Sequence, residues 1–456
     1  MIAPARAYRD EAKRVATLAW PVVVGQIGLV AMGTVDMLMV GHLGAEPLAA
    51  IGIANTWSFA ALILGLGACS GLDPFFSQAY GAGRPKDAGE ALIRGSVFVS
   101  AVALLIIGFH LLARPGLSLL MQPESLLSDA SLYCRIMAVA VIPYVGFALI
   151  KQFLQGSGVM RPAMWVIAVG NLVNIAANWV FIYGNLGAEP MGVPGAAWST
   201  AVVRWVMFAV LAAVARPHIR AAWPERLRLW DLQAYRKLAF TAMPVSLQWG
   251  LEVWAFNTAT IMAGWLGSNA VAAHTAAQNI TAITFMIPLG IGAAAATRTG
   301  NLVGARHPWS RAAWTSLGLG AASASVAATV FTLFPEALAQ LYNPDPQVIS
   351  LMVLVLPIGA IFQWVDAGQV ISFGVLRGLG DTRKPLLINV VGYWLIGIPA
   401  GYYMAFHLDY GLRGVWWGVT ISLTVACVLL VARIVWHSSR SPSGAAAGLD
   451  AENFTE

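Results

Sequence analysis

"WPVVVGQIGLVAMGTVDMLMVGHLGAEPLAAIGIAN" at 20–55 and "MPVSLQWGLEVWAFNTATIMAGWLGSNAVAAHTAAQ" at 243–278 align without a gap at an offset of 223 residues. Pro21 meets Pro244, Met39 meets Met262, Gly41 and Gly44 meet Gly264 and Gly267, and Ala49-Ala50 meets Ala272-Ala273. The same offset places "GAGRP" (81–85) over "GARHP" (304–308). With small gaps, "LQGSGVMRP" (154–162) pairs with "LRGLGDTRKP" (376–385), and "GVPGAAW" (192–198) with "GLRGVWW" (411–417). Isolated Gly or Ala matches are cheap in an apolar chain, but an ordered series at a nearly fixed offset marks a duplicated unit.

The repeat sits in a chain of 456 residues that is 58% hydrophobic and 11% charged, with a mean hydropathy of +0.71. Soluble domains carry about 25% charged residues, so this composition belongs to an all-α integral membrane protein. At about 20 apolar residues per crossing, spans fall near 15–41, 48–82, 90–112, 129–153, 162–184, 193–215, 238–264, 270–303, 310–333, 348–377, 385–406 and 412–435. The second and eighth exceed what a hydrocarbon core of about 30 Å needs and are expected to bend or to project beyond it.

Lys and Arg set the orientation. With the N-terminus inside, 23 of the 27 basic residues fall on the inner side, only Arg114, Arg135 and Arg413 fall outside, and Arg204 lies within the sixth span. The expected layout is a cytoplasmic N-terminus (1–14), a six-helix lobe (15–215), a basic cytoplasmic linker (216–237), a second six-helix lobe (238–435) and a disordered cytoplasmic tail (436–456). Both lobes enter the membrane in the same sense, which suits alternating access about a midplane site. The net charge of +6 sits in short loops between spans, so a nucleic-acid partner is not expected. Cys69, Cys134 and Cys427 lie within or beside apolar segments without metal or disulfide spacing and read as packing residues.

Four acids fall well inside spans: Asp36, Asp73, Glu252 and Asp366. A charge at the membrane centre costs roughly 2.5–3.5 kcal/mol on insertion scales, so such residues face protein or water. Across the repeat Glu252 stands over Leu29 and Asp36 over Ala259, so a shared framework carries different sites in each half. Trp249 and Phe256 flank Glu252 at helical spacing, and Phe362, Gln363, Gln369 and Val370 flank Asp366. A carboxylate among aromatics and amides can exchange a proton for a sodium ion or an organic cation, which makes Glu252, Asp366 and Asp36 the candidate coupling-ion or proton residues. The bland alternative is that these acids cap backbone or pair with Arg204 or Arg377. Asn174 and Asn178 are four apart on one helix face, positioned either to tie helices together or to ligate Asp36. Gln278, Trp57, Trp254, Trp364, Tyr144 and Asp73 complete the candidate substrate cavity. Arg204 can pair with an acid or extend along its helix to the cytoplasmic face.

These motifs resemble the multidrug and toxic compound extrusion (MATE) family, the NorM-type bacterial branch in particular, over roughly residues 10–435. The resemblance rests on "WPVVVGQIGLVAMGTVDMLMVGHLG", "GLDPFFSQAYGAG", "QGSGVMRPAM", "FIYGNLGAEPMGVPGAAW", "LEVWAFNTATIMAGWLG", "VAAHTAAQN" and "FQWVDAGQVISFGVLRGLGDTRKP". It implies a V-shaped pair of lobes and export of cationic, often aromatic compounds driven by inward H+ or Na+. The family's first-span acid falls on Asp36, its seventh-span glutamate on Glu252, the tenth-span aspartate of the NorM branch on Asp366, and its fifth-span pair on Asn174 and Asn178. Some relatives carry Asp where Asn178 stands. Proton coupling at Glu252 and sodium coupling at Glu252 with Asp366 both stay open.

The expected function is therefore a secondary active antiporter in the inner membrane, acting as a monomer, with no cofactor beyond the coupling ion. The alternative is a lipid-linked glycan flippase of the same wider superfamily, for which several basic cavity residues would be needed against a phosphate cargo; only one mid-span Arg is present. An enzyme would need a nucleophile with its base, or metal ligands at helical spacing. The seven His residues are scattered, no H-E-x-x-H occurs, and no G-x-x-x-x-G-K-[ST] loop exists to bind ATP.

Overall fold

The computed structural model describes residues 2–225 and 230–440, which are 87% helical with no strand among them. The tail beyond 440 and the linker residues Arg226 and Arg228 lie outside the described residues. Chain order is α1 (Ile2–Gly41), α2 (Ala45–Ser70), α3 (Asp73–Gly81), α4 (Pro85–Leu111), α5 (Ala113–Leu119), α6 (Glu124–Val139), α7 (Val141–Gly156), α8 (Arg161–Phe181) and α9 (Val193–Ala221). It continues with α10 (Leu232–Trp265), α11 (Ser268–Gly304), α12 (Ser310–Leu333), α13 (Pro335–Tyr342), α14 (Pro346–Leu379), α15 (Arg383–Asn389), a π-helical segment (Val390–Gly397), α16 (Ile398–Phe406) and α17 (Leu412–Arg440).

Each of the twelve expected spans has its helix. Ten are both long and apolar enough to cross a membrane, eleven with the bent α6–α7 pair. The twelfth, α10, is long enough at 34 residues, but Gln248, Glu252, Asn257, Thr258 and Thr260 dilute its apolar character. Of the two over-long spans, the second breaks at Gly71–Leu72 between α2 and α3, whereas α11 runs through Pro288 for 37 residues, roughly 55 Å. The fourth departs from a straight span: α6 and α7 meet at a 49° bend. Pro143, third residue of α7, cannot donate to the Val139 carbonyl that ends α6. The linker is also shorter than the expected 216–237, because α9 continues to Ala221 and α10 begins at Leu232. His218 and Arg220 occupy the last turn of α9, where positive charge suits the helix C-terminus.

The helices gather into two compact units, one formed by Val24–Gly250 and the other by the chain up to Val23 together with everything from Leu251. The divisions fall inside α1 and α10 rather than in loops. The reason is symmetric: a Cβ on Gly67 of α2 would lie 2.6 Å from Ser246 Cα of α10, and one on Gly290 of α11 would lie 3.0 Å from Val23 N of α1. Small residues permit this backbone approach, and the repeat pairs Gly67 with Gly290 and Val23 with Ser246. The first part of α1 is thus packed with the C-terminal helices, and the first part of α10 with the N-terminal ones. Bidentate contact between Glu11 and Arg298 (2.6 and 3.0 Å) fastens that part of α1 to α11.

The repeated motifs are helix ends. In "LQGSG" Gly158 N–H donates to Gln155 O and Val159 N–H to Leu154 O; in "LRGLGD" Gly380 N–H donates to Arg377 O and Asp381 N–H to Leu376 O. Gly158 and Gly380 have φ of +82° and +85°, a left-handed cap that glycine adopts without a Cβ penalty. Directly after the second cap, the Asp381 carboxylate accepts from Arg433 Nε and from His437 Nε2, each at 2.8 Å. Because a carboxylate only accepts, Nε2 of His437 carries the proton. Burial pushes the Asp381 carboxyl up, but the bonds and charges of His437 and Arg433 outweigh it and hold the group below its usual range. A depressed folded-state value stabilises the fold at neutral pH, and that stabilisation is lost as pH falls through the depressed value. Asp381→Asn is expected to cost about 2 kcal/mol and to flatten the acid-induced fall in melting temperature, measured by tryptophan fluorescence across pH.

Candidate functional site

In the N-terminal unit, α1, α8 and α9 converge on Asp36, which is 5% exposed. Asn174 and Asn178, one turn apart on α8, each donate to Asp36 Oδ1, at 2.9 and 2.6 Å, and Thr200 of α9 donates to Oδ2 at 2.9 Å. Both asparagines are fully buried. The i, i+4 spacing of the pair therefore reads correctly as one face directed at the acid. Thr200 is a partner that sequence reasoning missed, since nothing in its local pattern separates it from the other small residues of "GAAWSTAVV".

In the C-terminal unit, α10, α14 and the π-helical segment bring Glu252, Asp366 and Tyr393 together. Tyr393 Oη–H donates to Glu252 Oε1 at 3.3 Å, and the carboxamide of Gln369, one turn beyond Asp366 on the buried face of α14, lies close enough to favour the charged form of the same carboxylate. Asp366 is 4% exposed and lies within the field of Glu252. Neither acid has a Lys, Arg or His partner among the described residues. Trp394 Nε1 donates to Leu251 O at 3.2 Å, fixing the π-helical segment against α10 beside Glu252. Wide π turns are rare and concentrate at functional positions. Phe256 and Phe362, two of the aromatics read as flanking these acids, pack edge-on (6.1 Å between centroids), and Phe256 also meets Tyr393 (6.3 Å), a residue from a span the sequence reading had not used. A crevice lined by Ala255, Phe256, Ala259, Tyr393, Gly397 and Val419 opens next to them.

The remaining cavity candidates fall elsewhere. Trp254 and Trp364 each stand two residues from their acid, about 200° around the helix, and Trp364 is 47% exposed; neither flanks the carboxylate. Gln278 accepts a long bond from Thr260 (3.5 Å), which also meets His274 Nε2 at 3.2 Å, on the far part of α10 from Glu252. Asp73 is buried at the start of α3 and accepts from Gln152 of α7, in a knot separate from Asp36. Tyr144 lies under the Arg204 guanidinium, 4.2 Å from the ring centroid. Trp57 stacks on Phe109 at 4.2 Å and donates to its carbonyl at 3.2 Å. No group of three or more His, Cys, Asp or Glu that could hold a metal ion occurs among the described residues.

Known proteins agree with this architecture. The MatE family model matches residues 21–180 and again 244–403, the two halves of the repeat. The chain is 32% identical over 451 residues to a probable multidrug resistance protein NorM of Mesorhizobium japonicum, covering 94% of this chain and 95% of that one. It is 33% identical over 440 residues to the multidrug resistance protein MdtK of Yersinia pestis (strain Pestoides F), covering 94% and 96%. Among solved structures, the eukaryotic MATE transporter AtDTX14 superposes with a TM-score of 0.86 at 22% identity, and a MATE in the bent conformation with 0.84 at 21%, each over 94% of this chain and 96% of that one. With the family model matched twice in register with the internal repeat, the chain belongs to the MatE (multidrug and toxic compound extrusion) family.

Proposed function

We propose that this multi-pass membrane protein exports organic cations, many of them aromatic, in exchange for inward H+ or Na+, with Glu252 and Asp366 as the exchanged site. The observation that carries the reading is a pair of carboxylates in one unit, Asp366 buried and Glu252 half-buried, with no basic side chain opposing them among the described residues. Two such acids repel one another, and the cheapest relief is a mobile cation. A proton or sodium ion from one side and an ammonium from the other are then alternative occupants of one place. Phe256 and Tyr393 offer ring faces to a lipophilic cation, and the adjoining crevice offers apolar wall. The names of the relatives support multidrug export, and the basic loops support an inner-membrane setting with both termini cytoplasmic.

The test is ethidium efflux from proteoliposomes under an imposed Na+ gradient or an imposed pH gradient. Efflux driven by one gradient alone names the ion; no efflux under either sinks the proposal. A smaller effect is expected at Tyr393. Tyr393→Phe removes the hydroxyl donor to Glu252 while keeping the ring, and the loss of a hydrogen bond to a charged group is worth about 1.5–3 kcal/mol. Apparent ethidium affinity should change about tenfold, read by fluorescence titration, with the fold retained.

A further inference from the structure

In the C-terminal unit, Gln369 Oε1, Ser372 Oγ and both Nδ2 and Oδ1 of Asn389 are sealed from solvent without a hydrogen-bond partner among the described residues. None of the three residues is more than 1% exposed. Within a membrane such groups are costly to leave bare, and they persist where water or an ion completes their bonding. Gln369 and Ser372 are neighbours at i, i+3 on α14, in the turns that follow Asp366. The helix registers bring Asn389 to the same depth. A Cβ on Gly359 would lie 3.6 Å from the Trp416 ring and one on Gly368 2.5 Å from Cys427 Sγ, so α14 and α17 run in the same direction. Ser372, one turn beyond Gly368, therefore comes level with Leu430 of α17. A Cβ on Gly401 would lie 3.2 Å from Gly418 Cα and one on Gly392 3.6 Å from Ala426 Cβ, so the π-helical segment and α16 run opposite to α17. Asn389, three residues before Gly392, comes level with the same turn of α17.

Polar groups thus follow one another along α17. Asp366 and Gln369 stand at the level of the acid pair, Ser372 and Asn389 come next, and one turn further Arg433 and His437 hold Asp381. We propose that Gln369, Ser372 and Asn389 line an internal hydrated site for a small monovalent cation, through which the coupling ion passes between the Glu252–Asp366 pair and the end of the unit that carries Asp381, Arg383 and Lys384. Passage of the coupling ion rests on the exchange reading above; the hydrated site does not. Two amide oxygens and a hydroxyl are hard, neutral ligands. They solvate a sodium ion or a hydrated proton without holding it by charge, which suits passage, whereas the carboxylates retain the ion.

Silver ion, a thiophilic monovalent cation close in size to sodium, tests the site. Ser372→Cys and Asn389→Cys are exposed to silver in membrane vesicles, and protection of the new thiol from later alkylation is read by peptide mass spectrometry. Both are expected to react several-fold faster than Val375→Cys, which lies nearer the end of α14 but in its buried apolar core. Equal reactivity at the three positions overturns the hydrated site. Asn389→Leu replaces the amide by an apolar group of similar size. It is expected to slow gradient-driven ethidium efflux several-fold while ethidium affinity, read by fluorescence titration, and melting temperature stay parental. A merely structural Asn389 would move the melting temperature instead, and that result overturns passage of the ion, as does a parental efflux rate. If Asn389→Leu fails to accumulate, Ser372→Ala, which loses a single hydroxyl, is held to the same two readouts. Failure of ethidium efflux by the parent protein under either gradient removes the exchange reading and with it the passage, and silver reactivity still judges the site.

Discussion

Glu252→Gln is expected to abolish gradient-driven ethidium efflux, a loss of about 100-fold or more, equivalent to about 2.7 kcal/mol. Gln keeps the side-chain length and can still accept from Tyr393 Oη, so packing around α10 is preserved. What disappears is the negative charge, and with it both the proton that could be taken up and the attraction for a cation. Glu252→Asp separates charge from position: it keeps the carboxylate but withdraws it by one methylene from Tyr393 and Gln369, and should retain part of the activity. Asp366→Asn removes the second charge of the pair and is expected to follow Glu252→Gln. The readout is initial efflux rate in proteoliposomes, with protein content matched. Parental rates in Glu252→Gln would show that the acid is structural and would direct attention to the lipid-flipping alternative.

The largest stability effect is expected where α11 and α14 meet, at Gly374. A Cβ there would lie 2.1 Å from Gly292 O, and one on Gly378 would lie 2.4 Å from Ala296 O. Gly292, Ala296 and Gly300 recur every fourth residue on α11, so the two helices touch backbone to backbone along a stripe of small residues. No rotamer of a larger side chain fits, because the obstacle is a carbonyl rather than the end of a flexible neighbour. Gly374→Val must push the helices apart and should cost about 3 kcal/mol, seen as a lower melting temperature and reduced accumulation. Since α14 also carries Asp366, two turns before Gly374, the surviving protein should lose apparent cation affinity as well. A glycine without a close neighbour gives the contrast: Gly318 has nothing within 4 Å of its Cβ position, and Gly318→Ala should leave melting unchanged or slightly raised, as Ala is the better helix former.

Much of the protein was legible in one dimension because membrane physics is one-dimensional. Span length, the basic loops and the repeat follow from apolar run lengths and from residue order, and each expected span corresponds to a helix. The Asn174–Asn178 face was legible for the same reason: helical periodicity is local. What the reading left open was also local. Trp254 and Trp364, named as cavity candidates, each stand two residues from an acid, about 200° around the helix from it. The bend at Ala140 was hidden inside a continuous apolar stretch, although Pro143 carried its signal.

By itself, then, the amino-acid sequence determined the order of the spans, the duplication, the helix-ending glycine motifs and which spans carry an acid. Those properties depend on the transfer of side chains from water and on i, i+4 neighbours, which are functions of the chain alone. The tertiary structure alone decided the partners across helices: Thr200 on Asp36, Tyr393 and Gln369 on Glu252, Gln152 on Asp73. It also decided that the first parts of α1 and α10 pack with the opposite halves of the chain. Such pairings depend on how closely two backbones can approach, at Gly67 and Ser246 or at Gly290 and Val23, and that distance is set by packing between helices rather than by periodicity within one.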